Sequence, residues 1–153
     1  LTQKPGPVLS PSGSPADNEA APPDPCGLLS VHQVENALHL AVARGTLDQA
    51  ANACRYTDAA GAEVLTVTAG RLPRAATGGP AQVVELLSAG STRSTAVVGV
   101  TDTAVYYEGR RNTRGVAMAR GFQKTVIGVD ISTTRQATEE QLRVLARQAA
   151  GMV

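Results

Sequence analysis

The sequence predicts an α+β fold, a mainly antiparallel sheet covered by helices on one face and preceded by a Pro-rich tail. Three observations carry this. Capping boxes at Ser30-Val31-His32-Gln33 and Thr138-Glu139-Glu140-Gln141 each precede apolar residues at helical spacing. Between them lie short runs of alternating, β-branched residues separated by polar or glycine turns, the pattern of hairpins. Seven of the nine prolines fall in the first 25 residues, with Gly6, Ser10, Ser12, Gly13 and Ser14 among them. That stretch has too little apolar surface to offset its ordering entropy, so residues 1–23 read as a linker or stalk and 24–153 as one domain.

Each element has its own justification. After Ser30, Val31, Val34 and Leu38 follow at helical spacing, predicting a helix over 31–39. Residues 40–51 are ambiguous, because Gly45 argues against one long helix. Ala53–Thr57, a turn at Asp58-Ala59-Ala60-Gly61, and Glu63–Ala69 form a hairpin. In its second arm Leu65, Val67 and Ala69 alternate with Val64, Thr66 and Thr68, giving one buried and one wetter face. Gly78-Gly79-Pro80 starts a helix with Pro at its first position, and Gly90 ends it. Ala96–Val100 is a strand or extended entry, Thr101-Asp102 a turn, and Ala104–Tyr107 a short element. Val116–Arg120 and Thr125–Ile131 pair around Gly121, the latter run being the most strongly β-patterned in the chain. Leu142, Leu145, Ala146 and Ala149 then line one face of a final helix whose first turn carries two carboxylates at the positive end of its dipole.

Charge excludes some functions. Fourteen basic and 13 acidic residues leave a net charge of +1, so no global field attracts nucleic acid or an acidic membrane. No apolar run approaches the ~18–20 residues that span a bilayer. The chain starts at Leu1 rather than Met, as expected of a mature or trimmed form whose targeting segment has been removed.

Cys26 and Cys54 are the only cysteines. One stands at the threshold of the fold and the other on its first strand, so a disulfide would pin the first helix to the sheet. Two free buried thiols are the alternative. A structural disulfide points to an oxidising, extracytoplasmic compartment.

Taken in order, Pro25-Cys26-Gly27-Leu28-Leu29-Ser30, the short helix, and Cys54-Arg55-Tyr56 resemble a broad family of actinobacterial cell-surface lipoproteins of unknown function. Its Gly-x-Gly-Asp-x-Ala-aromatic turn has a counterpart in Gly99-Val100-Thr101-Asp102-Thr103-Ala104-Val105-Tyr106, with Thr101 in place of the second Gly. Leu142-Arg143-Val144-Leu145-Ala146 matches the closing helix. The likeness covers about residues 24–150. It implies a PsbP-like fold and a cell-surface location, with a lipid anchor in a segment absent from this chain. No catalytic residues come with it.

Catalytic and metal chemistry find little footing. His32 and His39 lie seven apart, yet a zinc site needs three or four ligands and there is no third His. A Ser-His-Asp hydrolase lacks its Gly-x-Ser-x-Gly elbow. Gly78-Gly79-Pro80 lacks the Lys of a phosphate loop and reads as helix punctuation. No cofactor is expected. The candidate partner-binding surface is Tyr106 or Tyr107 with Arg110, Arg111 and Arg114, since adjacent strand residues point opposite ways and one ring should face out beside the guanidinium groups. A solvated loop is the bland alternative. The expected function is a non-catalytic, stalk-mounted domain that binds a membrane or cell-envelope protein. A carrier or sensor of an apolar small molecule or lipid is the alternative.

Overall fold

The computed structural model describes residues 22–153; the linker expected over 1–23 lies almost wholly outside them. After a 3-10 turn at Pro25–Gly27, the elements run α1 (Val31–Leu38), β1 (Arg44–Asp48), β2 (Ala53–Thr57), β3 (Glu63–Pro73), α2 (Arg74–Thr77), α3 (Pro80–Leu87), β4 (Arg93–Ala96), β5 (Thr103–Glu108), β6 (Arg114–Gly121), β7 (Thr125–Thr133) and α4 (Glu139–Ala150). All seven strands join one antiparallel sheet in the order β1-β2-β3-β7-β6-β5-β4.

Both capping boxes form. Ser30 Oγ accepts from the Gln33 amide while Gln33 Oε1 accepts from the Ser30 amide. Thr138 and Gln141 repeat the exchange at the start of α4. These bonds satisfy orphan amide donors that each first helical turn leaves open. The strongest β run becomes β7, placed centrally between β3 and β6. Central strands are buried on both faces, which is why its sequence is apolar almost throughout.

The helices cover both faces of the sheet, which corrects the one-face expectation. On the first face α1 and α4 close over Leu65, Val67, Tyr106, Met118, Val129 and Ile131. On the second, α3 packs Val83 and Val84 against Ala117, Ala119 and Val126. The close approach of α3 depends on Gly128, where a Cβ would come within 2.9 Å of Val83 Cγ1. Helical periodicity shows that α3 has an apolar face. It does not say which side of the sheet that face will cover.

Two segments differ from the expected elements. The ambiguous stretch 40–51 contains β1, an edge strand whose residues are almost all exposed. The strand placed at 96–100 ends at Ala96. Beyond it Val97 and Val100 turn inward, Val98 is 85% exposed, and Gly99 adopts a φ of 79°.

The Cys26–Cys54 disulfide is present, with a Cα–Cα separation of 5.0 Å. It fastens the 3-10 turn, rather than α1, to β2, which is the second strand because β1 precedes it. Beside it the Tyr56 hydroxyl donates to the Leu29 carbonyl, and burial pushes that phenol up to about 12. Covalent and polar ties thus fix the same junction between the domain's first residues and the sheet.

Candidate functional site

The register aligns two rows of side chains across the second face. One runs Thr46, Arg55, Thr66, Ser132, Gly115, Tyr107 and Ser94 from β1 to β4. The adjacent row runs Asp48, Ala53, Thr68, Asp130, Ala117, Val105 and Ala96. Helix α3 covers the β5–β6–β7 part of this face. The β1–β3 side, with Arg55, Thr66 and Thr68, is wetter, as the alternation in β3 implied.

At the boundary between covered and open sheet, Tyr107 crosses β6 to reach β7. Its Oη donates to Asp130 Oδ1 at 2.7 Å. The strand between them offers Gly115 and Ala117 on that face, so nothing large blocks the ring. A Cβ at Gly115 would lie 2.9 Å from the phenolic oxygen. Burial raises the Asp130 carboxyl to about 6, against the lowering effect of the Tyr107 bond. Burial first, and the neighbouring carboxylate second, push the Tyr107 phenol far up. The Ser132 side chain, in the same row, also reaches Tyr107 and works against that rise.

Above Tyr107 lies an open cleft of about 510 Å³, lined by Leu87, Ala89, Gly90 and Ser91 on one side and Gly109, Arg110 and Thr113 on the other, with Tyr107 between. Thr113 also borders a smaller crevice of about 130 Å³, whose lining includes Glu63, Thr66, Ser132 and Thr134. The rim at Arg110 is shaped by a tight turn. The Thr113 amide donates to the Arg110 carbonyl at 3.1 Å, and Arg111 and Asn112 both take positive φ, 59° and 61°. Two successive left-handed residues are the requirement of a type I′ hairpin turn, which matches the twist of the flanking strands.

The five residues expected at a partner surface therefore separate. Tyr107 and Arg110 share the cleft, and Arg111 is exposed at the tip of the turn. Tyr106 and Arg114 belong elsewhere. Tyr106 points to the first face and donates to Glu108 Oε2 at 2.7 Å, and burial, with that carboxylate next, raises its phenol to about 12. Arg114 Nη1 donates to the Ala137 carbonyl at 3.0 Å and lines a separate depression beside the start of α4. Neither ring is exposed: Tyr106 is 2% and Tyr107 7% accessible. The expected outward-facing tyrosine fails because α3 roofs the face that the sequence reading left to solvent.

Asp130 escaped the sequence reading. Its signal was a lone carboxylate inside the apolar run Thr125–Ile131, and a charge on a buried strand is the informative exception. His32 and His39 are both exposed, the first 3.9 Å from Glu35 and the second capping α1 in a left-handed conformation. Among the described residues no three His, Cys, Asp or Glu side chains gather as a metal site. At Gly79 the amide donates to Gln82 Oε1 at 2.9 Å, so this helix entry satisfies its own donor. No family model, curated protein or solved structure matches the chain.

Proposed function

We propose that this chain is a non-catalytic, extracytoplasmic binding domain mounted on its N-terminal stalk, and that it captures a protein or cell-envelope partner at the Leu87–Tyr107–Arg110 cleft. The observation that carries this reading is the cleft's composition. Leu87, Ala89 and the Tyr107 ring provide an apolar wall, and Arg110 sets a cation on its rim. An apolar side chain flanked by an acidic group fits that pairing, with Arg111 extending the positive rim. The disulfide agrees with an oxidising compartment.

The carrier alternative needs room between helices and sheet. On the first face that space holds Val34, Leu65, Met118, Ile131, Leu142 and Leu145, each fully buried. The test is a photo-crosslinking amino acid placed at Ser91, on the cleft, and separately at the exposed Gln148 on α4. Exposed to native envelope membranes, the Ser91 probe should form a discrete adduct that Arg110→Glu abolishes. Equal labelling from both positions would remove the cleft as the binding surface.

A further inference from the structure

A second surface is the outer edge of β1. This strand is the first in the sheet order, so one side of its backbone faces no other strand among the described residues. Unpaired strand edges template pairing with another chain unless something opposes it. The sequence here, Arg44-Gly45-Thr46-Leu47-Asp48, has a property that the other edge lacks. Read antiparallel against itself about Thr46, it sets Arg44 opposite Asp48 at both ends and Gly45 opposite Leu47 between them. We propose that two copies of this chain pair their β1 strands about a two-fold axis through Thr46, joining two seven-stranded sheets into one.

Charge complementarity specifies the second copy as the occupant. Arg44 makes no ion pair among the described residues, whereas Asp48 already accepts from Arg55 at 3.1 Å, and Arg55 reaches on to Glu63 at 3.4 Å. Arg44, Thr46 and Asp48 share a face with Arg55 by register. In the paired form Arg44 of the second copy completes an alternating row with Asp48, Arg55 and Glu63, and symmetry repeats that row. On the opposite face Leu47 is 41% exposed. It would lie across from Gly45 of the other copy, whose missing side chain leaves Cys54 and Tyr56 directly beneath; a Cβ there would come within 3.0 Å of both. At the axis Thr46 meets Thr46, a favourable cross-strand pair. The far edge offers no such match. Arg93 on β4 is already held by Glu108 at 2.9 Å, and self-pairing would set it against Ala96. Pairing through β1 also closes, because the two-fold consumes both copies' edges.

The proposal does not depend on the cleft, which lies at β5 and α3. Its test uses two measurements on the full chain. Directly opposed residues in an antiparallel pair have Cα atoms about 4.5–5.5 Å apart, within disulfide reach. Both native cysteines are bonded to each other, so Thr46→Cys introduces a single free thiol. Under mild oxidation this variant should form a covalent dimer, whereas Thr95→Cys on β4 should remain monomeric. Sedimentation equilibrium up to about 1 mM protein should show a reversible dimer, weakened about tenfold or more by Arg44→Asp or Asp48→Lys alone. Mixing those two variants restores an opposite charge at both ends of the pair and should restore the dimer, with circular dichroism showing each variant folded. A wild type that stays monomeric throughout, equal crosslinking from Thr95→Cys, or a mixture no stronger than its components would overturn the assignment.

Discussion

Tyr107 on β5 and Asp130 on β7 are hydrogen-bonded at 2.7 Å across an intervening strand that presents only Gly115 and Ala117 beneath them. The contact lies at the edge of the cover given by α3, and the ring that makes it forms part of the cleft wall. Core packing and the proposed binding surface therefore meet in one side chain.

The raised Asp130 carboxyl has a definite consequence for stability. Its folded value is about 6, above the ordinary aspartate range, so the folded protein holds the proton more tightly than the unfolded chain. Stability should accordingly fall as pH rises from about 4 through 6, and the carboxylate should remain a burden above that. The carboxyls of Asp48, Asp58 and Glu108 are lowered by hydrogen bonds and act in the opposite sense at more acidic pH. Asp130→Asn keeps an acceptor for Tyr107 and removes the charge. Thermal unfolding should show it more stable than wild type at pH 8, by on the order of 1–2 kcal/mol once partial solvent access is allowed for. The difference should vanish near pH 4. A parallel shift at both pH values would dissociate the effect from ionisation.

Gly115→Ala should be among the most damaging small substitutions on the second face. Its Cβ would stand 2.4 Å from the Ile131 carbonyl oxygen and 2.9 Å from the Tyr107 hydroxyl, and backbone must yield. We expect a loss of about 2–3 kcal/mol in denaturant unfolding, accompanied by a reduced near-ultraviolet tyrosine signal. Gly70→Ala on the same face is the control, because nothing lies within 4 Å of its Cβ. A similar loss from both would point to strand propensity rather than the Tyr107 contact.

Removing the disulfide by Cys26→Ala with Cys54→Ala should lower the unfolding free energy by about 3–4 kcal/mol, the chain-entropy value for a loop of separation 28. Alkylation of native protein without reductant should leave its intact mass unchanged. Two alkyl groups per chain would contradict the bond.

The hairpin turn and its neighbouring arginine should respond differently to substitution. Arg111→Asn with Asn112→Gly supplies residues suited to the left-handed conformations already present, and should raise stability by about 0.5–1 kcal/mol. Arg114→Ala should cost about 1–2 kcal/mol, because its guanidinium holds the Ala137 carbonyl at the approach to α4. Arg110→Ala, on an exposed rim, should leave the melting temperature nearly unchanged.

Local chemistry made much of this fold legible from the sequence. The exchanges between Ser30 and Gln33 and between Thr138 and Gln141 are short-range, and side-chain type alone specifies them. The run Thr125–Ile131 announced a strand because burial on both sides requires apolar residues at consecutive positions. Tertiary structure decided the rest. Arg44–Asp48 has almost no buried position and so no alternation to read; it became a strand only because β2 offered it an edge. The helix after Gly79 showed an apolar face, but only the tertiary structure set which side of the sheet it covers, with Gly128 leaving room for Val83. That choice buried Tyr107, while sheet register gave Asp130 its partner and sent Arg114 to the opposite face from the cleft. Sequence spacing records neighbours within one turn or strand, whereas the cleft joins residues that only sheet register and the placement of α3 bring together.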